Sequence, residues 1–189
     1  MARFEDDDIK IFTPAAKNNA DVDQDVIATM EALDRERQNG NVNKARVIGK
    51  HLSKLFIDEV NRLDSLPEEF QGSKVRQNTG VLFLFSAETA LNMFLPTNTL
   101  ATIAISALND RLEDRKSDLF RNVYESPAYS FYYLNIRKGS EDIPNDIGSA
   151  YAMLCSHEND PAFIEMGSSL YNMVLDEVER DVKKAKFQI

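Results

Sequence analysis

The stretch GVLFLFSAETALNMFLP, Gly80 to Pro96, constrains this chain more than any other. Its apolar run from Val81 to Leu95 is far longer than an ordinary strand of about five or six residues. It is also shorter than the roughly 20 residues that a membrane-spanning helix needs. A buried helix is the solution that remains. At about 100° per residue, Phe83, Leu84, Ala87, Ala90, Leu91, Phe94 and Leu95 occupy one broad sector, and Ser86, Glu88, Thr89 and Asn92 spread over the rest. A helix this apolar must be covered by other helices.

The remainder of the chain supplies them. With 7 Gly and 6 Pro in 189 residues there are too few turn formers for a fold of many short strands. The length suits one domain with a substantial core. Asp21-Val22-Asp23-Gln24 has capping-box spacing and predicts a first helix, with Val22, Val26, Met30 and Leu33 inward and a stop at Gly40. A second helix is expected from about Asn43, burying Ile48, Leu52, Leu55 and Phe56. Ser65-Leu66-Pro67-Glu68 caps a short turn. Ser73 to about Leu95 forms the long apolar helix, weakened at Gly80, and Pro96 separates it from a helix running from Asn98 to about Lys116. These two are expected to form the central hairpin. Ser117 opens a short helix to Tyr124, Ser126-Pro127 one that ends at Gly139, Pro144 one to about Ser156, and Asp160-Pro161 the last.

GNVNKA, Gly40 to Ala45, resembles the inter-helix turn of tetratricopeptide repeats over six residues. The large apolar positions expected around it do not follow, so it reads as a generic helical-hairpin turn. Met1 to Ala20 lacks helical periodicity, and Ile9, Ile11 and Phe12 suggest a short extended segment. The expected architecture is all-α: antiparallel helical hairpins packed as a multi-helix bundle or short superhelix. An extended N-terminal arm, residues 1–20, precedes a single all-helical domain, residues 21–189.

Charge and residue usage exclude several chemistries. The net charge of −9, from 31 acidic and 22 basic residues, repels phosphate and disfavours nucleic acid and anionic membranes. A lone Cys155 rules out an intramolecular disulfide and fits a reducing compartment, and the polar opening MARFEDDDIK does not match a signal peptide. A cytoplasmic protein without a membrane segment is the expectation. His51 and His157 are the only histidines, too few for a di-iron bundle site. One Cys and two distant His disfavour structural zinc. Cys155 and His157, two apart, face different sides of a helix, which makes Cys155 a small core residue and no nucleophile. Asp110, Glu113 and Asp114, and likewise Asp176, Glu177 and Asp181, have carboxylate spacing suited to Mg2+, but Arg and Lys lie among them and solvated ion pairs explain both sets. No catalytic set, cofactor or metal is expected.

Three surface features stand out. Tyr129, Tyr132, Tyr133 and Ile136 share one side of a helix starting at Pro127, with Phe131 and Leu134 opposite, which marks a candidate protein interface. Glu88 and Asn92, four apart on the polar stripe of the long helix, mark a candidate pocket. Arg46, Lys50 and Lys54 form a basic row that marks a candidate anion or nucleic-acid site, or a face pairing with Asp23, Asp25 and Asp34. The leading expectation is a non-enzymatic cytoplasmic helical module for protein–protein interaction or self-assembly, with a protein partner that includes itself as a homodimer. The alternatives are a small enzyme or ligand-binding protein using the Glu88 pocket, and anion or nucleic-acid binding through the basic row.

Overall fold

The structure, a computed structural model, describes residues 19–114, 126–138 and 140–188. Among these it is 85% helical and contains no strand. The described residues form seven α-helices: α1 (Asn19–Gln38), α2 (Asn41–Arg62), α3 (Ser73–Phe94), α4 (Asn98–Asp114), α5 (Pro127–Arg137), α6 (Ile143–Leu154) and α7 (Pro161–Ala185). Two short 3-10 turns, Leu63–Ser65 and Glu68–Phe70, link α2 to α3. The architecture is the expected all-α bundle.

Local chemistry accounts for the helix boundaries. Gly40 holds φ +73°, a left-handed conformation that other residues adopt at a cost, and it ends α1 while serving as N-cap of α2. The second helix therefore starts at Asn41, two residues before its expected start. Ser126 Oγ accepts the Ala128 N–H at 3.3 Å, Asp142 Oδ1 that of Asn145 at 3.3 Å, and Asp160 Oδ1 that of Ala162 at 3.0 Å. Each of these three starts also carries a Pro in its first turn, where the missing N–H costs nothing. At the other end of the chain the capping-box reading fails: α1 already includes Asn19 and Ala20, so Asp21 lies inside it. Met30, expected inward, is 62% exposed, whereas Leu33 packs on the core. Residues 1–18, the Ser117–Tyr124 helix and the Gly139 stop lie outside the described residues, as do the side chains of Val22 and Val26.

The core is built around α3. Val81 to Ala87 are buried without interruption, as are Ala90 and Leu91 beyond the half-buried Glu88 and Thr89, and α3 packs mainly on α7 while also touching α2, α4, α5 and α6. It runs helical through Gly80, beside which the Phe56 ring packs. The expected α3–α4 hairpin is corrected here: α4 lies chiefly along α2. The reason is size. A Cβ on Gly49 would fall 2.1 Å from the Ala104 carbonyl oxygen, so the two backbones approach as closely as a glycine permits. The α6–α7 pair is built the same way, with Gly148 under Ile164 and Gly167 against Tyr151. Pairing between helices distant in sequence makes this a bundle and not a chain of stacked hairpins. No helix among the described residues is long and apolar enough to cross a membrane.

Candidate functional site

The tyrosine helix α5 divides differently from the expected face. Tyr132 is fully buried against Phe85, ring centroids 5.4 Å apart, which places it in the core and out of a partner's reach. Its hydroxyl has no hydrogen-bond partner among the described residues. Tyr129 is half-buried and meets Phe85 edge-on, and Ile136 packs against the core. Of the four, Tyr133 alone is largely exposed, beside an equally exposed Leu134 that had been expected inward. The sequence could not separate these outcomes because α5 is apolar on both sides.

Glu88 is half-buried on α3 and takes a hydrogen bond from the Tyr129 hydroxyl on its Oε2. Burial pushes its pKa above the ordinary carboxylate value. Asn92 does not join it: its Nδ2 donates at 2.9 Å to the Glu88 backbone carbonyl, the usual partner for a polar residue one turn on. Neither residue lines the clefts described below.

The basic row is exposed. Arg46 and Lys50 line a groove of about 560 Å³ between α2 and α4, together with Arg111, Asp110 and Asp114; Lys54 lies outside it. Two carboxylates among three cations leave little net attraction for phosphate. The acids facing the row thus come from α4, and Asp34 pairs with Arg37 on its own helix at 3.0 Å. The side chains of Asp23 and Asp25 lie outside the described residues.

A different place brings polar chemistry together. His51 on α2 and the i, i+4 pair Glu177 and Asp181 on α7 meet where the two helices touch. His51 Nδ1 lies 2.6 Å from Asp181 Oδ2 and 4.0 Å from Glu177 Oε1. Glu177 turns its other oxygen, Oε2, to Arg180. Both carboxylates are largely covered, with side chains 17% and 18% exposed, while His51 is 43% exposed. Beside the trio opens a cleft of about 610 Å³, lined by Val47, Ile48 and Ala185, with His51, Asp181, Lys44 and Lys184 around it. Val47 is 65% exposed there.

The C-terminal segment closes one side. Lys44 Nζ donates to the Lys186 carbonyl at 2.8 Å, and Asn41 exchanges hydrogen bonds with the Gln188 backbone at 2.7 and 3.1 Å. Sequence reasoning had Glu177 and Asp181 as solvated ion pairs, and took one Cys and two distant His as arguing against structural zinc. The local signal was present in the i, i+4 acids. The histidine's approach depends on which helices pair, which sequence does not state. No family profile, curated protein or solved structure matches the chain.

Proposed function

We propose that this protein is a non-enzymatic helical interaction module that self-associates, and that the α2–α7 cleft is its docking surface. The observation that carries the reading is Val47: a large apolar side chain left 65% exposed at a roomy cleft with an apolar floor and two lysines at its edge. A fitting occupant combines acidic and apolar side chains. The chain's own Glu5-Asp6-Asp7-Asp8, followed by Ile9, Ile11 and Phe12, has that composition. In a second copy it would set its carboxylates toward Lys44 and Lys184 and its apolar groups on Val47 and Ile48. The lysine rim also offsets, locally, the repulsion between two chains of charge −9.

The α5 tyrosines no longer support an interface as a set, because Tyr132 is core and Tyr129 is engaged with Glu88. The non-enzymatic reading draws on the same engagement: the half-buried Glu88 carboxylate has one of its two oxygens bonded to a tyrosine. The lone Cys155, buried with its thiol pushed up to about 11 chiefly by that burial, supports a cytoplasmic setting.

Light scattering on the full chain, on a form lacking Met1 to Thr13 and on Val47→Asp tests the proposal. The full chain is expected as a dimer and both variants as monomers of unchanged helical content. A monomeric full chain overturns it. So does a deletion that lowers stability without changing the mass, which would place the segment in the cleft of its own chain.

A further inference from the structure

We propose that His51, Glu177 and Asp181 bind a divalent transition-metal cation of the Zn2+ class. This inference does not depend on what the cleft receives. One nitrogen and two carboxylate oxygens from the three residues all lie within 4.8 Å of one another. Metal–ligand bonds of about 2.0–2.1 Å at tetrahedral angles put ligand atoms roughly 3.3 Å apart. The His51–Asp181 separation of 2.6 Å and the His51–Glu177 separation of 4.0 Å bracket that spacing. A change of about 0.7 Å in each separation would equalise them.

The surroundings favour a cation over a plain ion pair. Arg180 engages only the outer oxygen of Glu177, leaving Oε1 directed at His51. Lys183, the next cation along α7, is paired with Glu179 at 2.8 Å. Lys44, across the cleft, is committed to the Lys186 carbonyl. Arg180 offsets the Glu177 charge only from its outer side and Lys184 stands at the cleft's edge, so the inner oxygens of two largely covered carboxylates meet the His51 imidazole. A cation held between those inner oxygens adds compensation where the charges are closest. A set of one imidazole and two carboxylates suits Zn2+, Co2+ or Mn2+, whereas Mg2+ and Ca2+ prefer oxygen alone. The three ligands come from two packed helices, which fixes their directions before any ion arrives. The fourth position opens on the cleft, because His51 and Asp181 both line it.

Calorimetric titration of the chelator-stripped full chain with Zn2+ alone tests the site, with Co2+ absorption as a second readout. The expected result is one ion per chain and a Co2+ spectrum of nitrogen–oxygen ligation. Asp181→Asn, close in size to the native residue, and His51→Ala should each lower affinity by at least about tenfold. Glu179→Gln, on the same helix but outside the trio, should bind like the native chain. A tenfold excess of Mg2+ should not displace Zn2+. No saturable Zn2+ binding by the native chain overturns the proposal. Equal affinity in Asp181→Asn and the native chain overturns it as well. A loss in Glu179→Gln matching that in Asp181→Asn also does, since the ion would then be held by the acidic helix in general. Circular dichroism of each variant confirms that the helices remain, and if His51→Ala loses them, Asp181→Asn decides alone.

Discussion

Glu88 illustrates how a single residue's chemistry follows from what surrounds it. The polar stripe of α3, with Glu88 and Asn92 on it, was legible in the sequence. The partner of Glu88 was not, because it is a tyrosine on a helix 41 residues further along the chain. Burial raises the Glu88 pKa from its ordinary value of 4.5, so the folded chain holds this proton more tightly than the unfolded one. In that window the unfolded state binds fewer protons, and stability falls as pH rises. The contribution is fully present below the unfolded value and is lost as pH rises through the folded one. Glu88→Gln keeps an oxygen that accepts from Tyr129 and removes the charge. Its urea midpoint should match the native chain's at about pH 4 and exceed it at about pH 7. A variant weaker than the native chain at neutral pH would mean that the Tyr129 bond to the carboxylate outweighs burial. Tyr129→Phe, which strips that bond, should cost roughly 1–3 kcal/mol in the same measurement.

Individual helices were the most legible level. Ser126-Pro127 and Asp160-Pro161 each begin a helix where capping chemistry says they should, and Asp142 caps a helix that starts at Ile143, one residue before the expected Pro144. Gly40 stops α1 as expected. The partner of each helix was harder to read, since apolar faces on α2, α3 and α4 are compatible with any pairing among them. Gly49 decides this one, although in the sequence it is a lone glycine inside a helix. Replacing it with Ala would gain up to about 1 kcal/mol in helix propensity. Overpacking usually costs about 1–3 kcal/mol. Here the methyl group meets backbone oxygen, which cannot rotate aside as a side chain can. The clash wins, and Gly49→Ala should lower stability by at least about 1 kcal/mol in urea unfolding. Gly72, the N-cap of α3, provides the contrast, with φ −58° and nothing nearer its Cβ than Val75 at 3.9 Å. Gly72→Ser should be neutral or stabilising by a few tenths of a kcal/mol. Equal losses at the two glycines would mean that the α2–α4 approach is looser than described.

Across the whole molecule, the contacts that close the bundle are the ones farthest apart in sequence, and this is why the trio went unread. His51 reaches Asp181 over 130 residues, and Asn41 reaches Gln188 over 147. Both depend on α7 and the tail after it lying along the first half of α2, a consequence of the complete packing and not of any local pattern. Asn41 is the clearest single test of that closure. It is fully buried, and its amide nitrogen donates to Glu36 Oε2 at 2.6 Å and to the Gln188 carbonyl at 2.7 Å, while its oxygen accepts the Gln188 N–H at 3.1 Å. The side chain thus pairs with the tail as a neighbouring backbone would. Asn41→Ala removes these three bonds and the longer one that Lys44 Nζ donates to its oxygen at 3.5 Å, and at about 1 kcal/mol for each of the three short ones the loss should be roughly 3 kcal/mol. Asn41→Asp retains the acceptor, loses both donors and sets a second carboxylate against Glu36. It should therefore be as damaging as Ala at neutral pH and recover part of its stability at about pH 4, where the carboxylates begin to take up protons. Amide exchange at residues 186–188 and in the first turn of α2 should quicken in both variants while the centre of α3 keeps its protection. Native exchange rates at the tail in Asn41→Ala would show that Asn41 does not hold it, and the closure would then rest on the Lys44–Lys186 and His51–Asp181 contacts and on the packing of α7.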